Sequence, residues 1–237
     1  MSEGILILTL TAGSVGFLHT LLGPDHYIPF VAMSKARNWS KIKTFWVTGI
    51  CGVGHVFSSV ILGIIGIALG IAVNNLTEIE ATRGSIAAWF LITFGFVYFI
   101  WGVHRVIKNK PHTHIHSHSD GQLHQHSHKH KEGHLHVHDE DGKKNITPWI
   151  LFTIFIFGPC EPLIPILMYP AARENLYGLI IVTLVYAIIT IGTMLAVVFL
   201  SLYEMSFLPL HKFEKYTHPM AGAAIFLSGF AIIVFGL

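Results

Sequence analysis

Histidine and carboxylate side chains stand in this sequence where an apolar chain has least use for them. His19, Asp25 and His26 fall in one otherwise apolar run, and His55 falls in the next, four residues after Cys51. Imidazole nitrogen with carboxylate oxygen is a donor set suited to divalent Ni, Co, Zn or Fe, and not one that favours Mg or Ca. His19 and His26 are seven residues apart, two helical turns, so a roughly continuous helix puts them on one face. Cys160 and Glu161 bring a thiol and a second carboxylate into a later apolar run. A carboxylate in hydrocarbon is expensive unless it is paired or holds a cation, which makes Asp25 and Glu161 functional candidates by default. Packing is the competing account. A single membrane histidine is commonly a hydrogen-bond donor between helices, and a buried Cys such as Cys51 is commonly a small hydrophobe. An ion pair, however, employs two of His19, Asp25 and His26 and leaves the third without a purpose.

A second concentration of imidazoles lies between residues 112 and 138. His112, His114, His116, His118, His124, His126, His128, His130, His134, His136 and His138 occur there, mostly as His-x-His, with hardly an apolar residue among them. Composition predicts disorder. With a reference pKa of about 6.5, these side chains are largely neutral ligands near neutral pH, able to bind divalent ions loosely at several points. The tract is expected to buffer, deliver or sense metal, with a neutral linker or a pH sensor as the alternative.

The elements that must position these residues are membrane helices. The chain of 237 residues is 52% hydrophobic and 12% charged, with mean hydropathy +0.60, too apolar for a soluble domain. Apolar runs near 5–34, 44–73, 84–107, 148–171, 176–202 and 217–237 predict six spans in a lipid bilayer. The first lacks a basic flank, so it is expected to stay as a span and not to be cleaved. Thirteen of the 15 Lys and Arg residues fall on one side of such a bundle, leaving Arg83 and Arg173 on the other. The positive-inside rule then predicts termini outside and the central loop in the cytoplasm, in an inner or plasma membrane of bacterial type. Trp46, Tyr98, Trp101, Trp149 and Tyr169 stand near the predicted span ends, as an aromatic belt requires. Basic residues form no single stripe, so no nucleic-acid partner is expected. The sequence leaves oligomeric state open.

Spans one and four are predicted to be broken. Gly23-Pro24-Asp25-His26-Tyr27-Ile28-Pro29 matches Gly158-Pro159-Cys160-Glu161-Pro162-Leu163-Ile164-Pro165 with one residue inserted, and both last prolines precede an Arg by eight positions. Proline inside a helix frees a carbonyl one turn back: those of Thr20 and Asp25 in the first copy, and of Phe155, Gly158 and Glu161 in the second. At membrane depth such groups are tolerated where they face protein or a polar cavity. Three spans separate the copies, so the copies run in opposite directions, as inverted repeats do. The expected fold is all-α: residues 1–107 as one three-span half, 108–147 as the His-rich loop, and 148–237 as the second half.

The segment Gly16-Phe17-Leu18-His19-Thr20-Leu21-Leu22-Gly23-Pro24-Asp25-His26 resembles the first-half motif of the nickel/cobalt transporter superfamily, and Gly158-Pro159-Cys160 resembles its second-half Gly-Pro-Cys. A His-rich loop between spans three and four of six is similar to that superfamily's efflux branch; the uptake branch has His-x4-Asp-His and eight spans, against His-x5-Asp-His here. The resemblance implies a secondary transporter exporting Ni2+ or Co2+, with Zn2+ as a further candidate. His19, Asp25, His26 and His55 would ligate the ion, while Cys160 and Glu161 would bind it or a counter-transported proton. No permanently bound cofactor is expected. Uptake of nickel, cobalt or zinc is an alternative. Another is a sulfite-exporter-like anion permease, to which the Gly-Pro element is also similar, although the sequence shows no basic residue in mid-span. No Walker pattern appears, so a gradient is the expected energy source. The chain is not expected to be an enzyme, since a thiol oxidoreductase would want two approachable cysteines.

Overall fold

A computed structural model describes residues 3–108, 112–117, 123–128, 146–158, 160–172, 176–207 and 215–235. Helix α1 (Glu3–Leu22) ends before Gly23-Pro24, a single 3-10 turn follows (Pro24–His26), and α2 (Ile28–Ala36) resumes the course. Then come α3 (Lys41–Ala68), α4 (Val73–Lys108), two strands β1 (His112–Ser117) and β2 (Leu123–His128), and α5 (Thr147–Phe157). Helices α6 (Leu163–Ala172), α7 (Leu176–Glu204) and α8 (Thr217–Phe235) complete the chain. Five of these, α1, α3, α4, α7 and α8, are long and apolar enough to cross a membrane. Ile7, Ile50, Phe57, Trp89, Ile188 and Leu227 are each more than half exposed on their outer faces, where water would penalise them and lipid would not. The helices fit an integral, multi-pass membrane protein.

The boundaries follow local chemistry. Ser40 caps α3, its Oγ accepting from the Lys43 N–H at 3.2 Å. Proline at the starts of the 3-10 turn, α2 and α5 occupies positions where a missing N–H costs nothing. The largest departure from the sequence reading is α4, which begins at Val73 and not near residue 84. Leu76, Glu80, Gly84, Ala87, Ala88 and Leu91 are buried at three- and four-residue spacing, so the helical period runs straight through a stretch whose polar residues look like a loop.

Packing between the helices is reciprocal. Helix α1 lies along α7, and α5 along α3; α2 lies against α8, and α6 against α4; α3 meets α7, and α4 and α8 make the most extensive contact of all. The last pair approaches at backbone distance because Gly95 of α4 faces the backbone of Phe226 while Gly222 of α8 faces that of Phe99, leaving no room for a Cβ at either place. Phe30, Met33, Leu91, Leu151, Ile154, Phe155, Met194 and Ile225 form the core between them.

Among the described residues of the loop, β1 pairs antiparallel with β2, with His112 opposite His128, His114 opposite His126 and His116 opposite His124. His-x-His alternation has the two-residue period of a strand, and backbone pairing needs no apolar core to use it. His118, His130, His134, His136 and His138 lie outside the described residues. Tyr98 is not part of an outward belt: it is buried, its hydroxyl 2.8 Å from His218 Nδ1 and its ring under the Arg37 guanidinium at 5.7 Å.

Candidate metal centre

The first break builds the site. His19 stands in the last turn of α1, His26 in the 3-10 turn, and His55 mid-way along α3. The seven-residue spacing does not bring His19 and His26 together along one helix, because α1 stops at Leu22; the tight turn swings His26 back instead. The rings of His19 and His26 meet edge to face with centroids 4.8 Å apart, and His26 meets His55 at 5.0 Å. One ligand nitrogen from each ring lies within 4.8 Å of the others, the one such convergence of three metal-ligating groups among the described residues. His26 and His55 are 2% and 1% exposed, so water cannot serve as their routine partner.

The hydrogen bonds decide what these rings offer. His26 Nδ1 lies 3.2 Å from the Gly23 carbonyl and 3.2 Å from Asp25 Oδ1, both acceptors, so Nδ1 carries the proton and the Nε2 lone pair is free. His19 Nε2, His26 Nε2 and both ring nitrogens of His55 are all buried without a hydrogen-bond partner among the described residues. Each orphaned group of this kind costs about 1–3 kcal/mol, and their gathering from three rings calls for a common ligand. The three histidines line a cavity of about 20 Å³ together with Asp25, Gly84, Ala87, Leu91, Phe155 and Gly158, with room for about one water-sized particle. Gly158 is required by this geometry: a Cβ there would sit 2.9 Å from His55 Nδ1.

The break brings Asp25 to the same cavity as the three histidines. Its carboxylate borders the cavity but is engaged with His26 Nδ1, where it orients the ring and raises the basicity of the far nitrogen. Cys51 is buried in the apolar core and is not among the converging groups. Cys160 is also outside them, fully buried with Sγ donating to the Tyr186 hydroxyl at 3.2 Å, while Glu161 is exposed.

At the second break the backbone is satisfied by residues that sequence reading passed over. Helix α5 ends at Phe157 and α6 starts at Leu163. The Phe155 carbonyl, expected to be freed, accepts from the Gly158 N–H at 3.1 Å, and that of Glu161 accepts from Ile164 at 3.3 Å. It is the Ile156 carbonyl that is left over, and Arg83 Nη2 donates to it at 2.7 Å. Glu80 Oε2 accepts from the Cys160 N–H and from Ser59 Oγ, each at 3.1 Å. Arg83 Nη1 donates to Glu80 Oε1, and Nη2 to Ser58 Oγ at 2.8 Å. Glu80 is completely buried and Arg83 mostly so. The available signal was an acid and a base three apart in register with the buried positions Leu76, Gly84 and Ala87 of the same helix.

No family model, no curated protein and no solved structure matches this chain.

Proposed function

We propose that the chain is a secondary membrane transporter of divalent transition-metal ions, with Ni2+ or Co2+ as the first candidate substrate and export as the direction. The observation that carries this reading is the convergence of one ring nitrogen from each of His19, His26 and His55 at a small helix-lined cavity, in rings whose Nε2 atoms have no hydrogen-bond partner among the described residues. Neutral imidazoles select borderline ions such as Ni2+, Co2+ and Zn2+ over Mg2+ and Ca2+, which want oxygen. Asp25, by accepting from His26 Nδ1, fixes the tautomer a cation needs and supplies a compensating negative charge nearby.

The reciprocal packing supports two inverted halves. Exchanging α1 with α5, α2 with α6, α3 with α7 and α4 with α8 turns the contact α1–α7 into α5–α3 and α2–α8 into α6–α4, all four of which occur. In this reading α1 with α2, and α5 with α6, are single broken spans, which brings the five long helices to six. The Lys and Arg distribution supports a cytoplasmic loop. Arg83 does not favour an anion substrate, because Glu80 neutralises it in place.

Flux of Ni2+, Co2+ and Zn2+ into vesicles reconstituted with the purified protein tests the reading. Wild type is expected to move at least one of the three, and His19→Ala, His26→Ala and His55→Ala each to lower that flux at least about 100-fold, more than loss of a supporting partner alone costs. Equal flux in wild type and all three variants removes the proposed path.

A further inference from the structure

The chamber is sealed differently at its two ends. Helices α3 and α4 are joined by residues 69–72, so moving from His55 to Ser58 and Ser59 along α3, or from Gly84 to Arg83 and Glu80 along α4, leads the same way, towards that connection. In that direction the imidazoles are followed by the carboxylate and guanidinium of Glu80 and Arg83, with Ser58, Ser59 and the Cys160 N–H around them. In the other direction, one turn beyond His26, Phe30 packs on Phe155 with ring centroids 4.6 Å apart, and the apolar core follows. One end is an apolar plug and the other is an ion pair.

An apolar plug excludes ions whatever their sign, whereas an ion pair presents a group a metal ion wants, held by a group it can replace. Glu80 is fully buried and its carboxylate already gathers three donors: Ser59 Oγ, the Cys160 N–H and Arg83. Of these, the guanidinium alone carries charge, and it stands on a long side chain with other acceptors in reach, the Ile156 carbonyl and Ser58 Oγ. A divalent ion arriving beside Glu80 can therefore take over the carboxylate while Arg83 keeps its remaining bonds. Within electrostatic range of Glu80 lies the exposed carboxyl of Glu161.

Building on the transport reading, we propose that Glu80 is a second cation-binding group on the path, with Arg83 as its resident counter-ion, displaced when a divalent metal ion passes from the imidazole chamber towards Glu161. The arrangement keeps the buried charge neutral while no ion is bound, because the guanidinium balances the carboxylate. It also makes this end of the chamber permeable by ligand exchange, without a change in the apolar core.

Equilibrium binding of Ni2+ to the full-length protein tests this, in a background where the eleven loop histidines are replaced by Ser so that their own binding does not enter the count. The background is expected to bind one equivalent. Arg83→Gln, which removes the counter-ion, is expected to bind two, and Glu80→Gln/Arg83→Gln to return to one. A merely structural ion pair creates no second equivalent. In reconstituted vesicles, Glu80→Gln is expected to keep the single equivalent but carry Ni2+ at least about tenfold more slowly, with Glu80→Asp in between. Arg83→Gln that stays at one equivalent, or that folds neither with nor without Ni2+, overturns the inference. So does equal flux in wild type and Glu80→Gln. These outcomes leave the imidazole site standing, whereas a background protein that binds no Ni2+, and behaves like its His55→Ala variant, removes the transport reading and this inference with it.

Discussion

The two broken stretches of this protein, 23–27 and 158–162, start from the same Gly-Pro interruption and reach opposite chemical ends. At the first, side chains are left wanting: His19 and His26 line the chamber with Nε2 atoms that have no hydrogen-bond partner among the described residues, joined by His55 from α3. At the second, the chain itself is satisfied: Arg83 takes the Ile156 carbonyl, Glu80 takes the Cys160 N–H, and Sγ of Cys160 bonds Tyr186. A break in a membrane helix thus does not by itself make a binding site. It makes unpaired polar groups, and what matters is whether the neighbouring helices supply partners or withhold them. Here α3 and α4 supply them at the second break, while at the first α3 presents His55, whose ring nitrogens make no hydrogen bond within normal geometry among the described residues.

The largest effect that separates the two breaks is on stability. Glu80→Ala leaves the Arg83 guanidinium buried without its carboxylate and removes the acceptor for the Cys160 N–H, a loss of about 3–5 kcal/mol for a broken buried pair. Thermal unfolding in detergent should fall by many degrees, while His55→Ala, which relieves an unsatisfied group, should hold or gain stability with no metal present. A Glu80→Ala protein as stable as wild type contradicts the claim that the second break is held from α4.

Next comes the carboxylate of the first break. Asp25→Asn keeps the size of the side chain but weakens the acceptor at His26 Nδ1, and loss of such a supporting partner lowers metal affinity about 10- to 100-fold. If Asp25 were instead a direct ligand, Asp25→Asn would resemble His26→Ala, so titrating Ni2+ against both variants side by side tells the roles apart. A ratio near one between them places Asp25 on the metal.

How far this difference was legible in the sequence depends on how local its causes are. Both interruptions are written in glycine and proline, whose effects act within a turn, and the helices do stop at Leu22 and Phe157 as those residues require. The imidazoles stand out because packing between helices accounts for a single membrane histidine but not for His19, Asp25 and His26 together. Roles that depend on contacts across helices were not legible. Asp25 and Cys160 look like ligands in the sequence, and whether Asp25 meets a metal or the next imidazole is decided by the hand of one 3-10 turn. Glu80 and Arg83 were hidden by Asn74, Asn75, Thr77 and Glu78, which make the start of α4 resemble a loop; hydropathy counts side chains and cannot tell an exposed first turn from a buried charge pair two turns later.

A smaller effect probes the place where the two breaks touch. Gly158 belongs to the second, yet its missing Cβ is what admits His55 to the first. Gly158→Ala should push the His55 ring aside by a few tenths of an ångström and weaken Ni2+ binding by about 1–2 kcal/mol, roughly 5- to 30-fold, an ordinary cost of overpacking. Gly63→Ala, whose Cβ would meet Leu167 at 3.5 Å, an ordinary contact distance, serves as the control and should leave affinity unchanged. Equal affinities for Gly158→Ala and wild type would mean that the two breaks are independent.

The smallest effect belongs to Cys160, and its smallness is the point. The residue sits in the second copy of the repeat where Asp25 sits in the first, which invites the inference that it too serves the ion. Its side chain is turned away from the imidazoles to donate to Tyr186, and its backbone N–H, not its sulfur, meets Glu80. Cys160→Ala forfeits one thiol hydrogen bond and a little packing, about 1 kcal/mol of stability, while Ni2+ affinity at the imidazoles should stay within about twofold of wild type. A thiolate ligand would behave otherwise: its removal would cost affinity on the scale of a lost imidazole, and Co2+ bound to the intact protein would show a sulfur-to-metal charge-transfer band. The expected Co2+ spectrum has no such band and is unchanged by Cys160→Ala, because the part of Cys160 that the second break uses is its main chain.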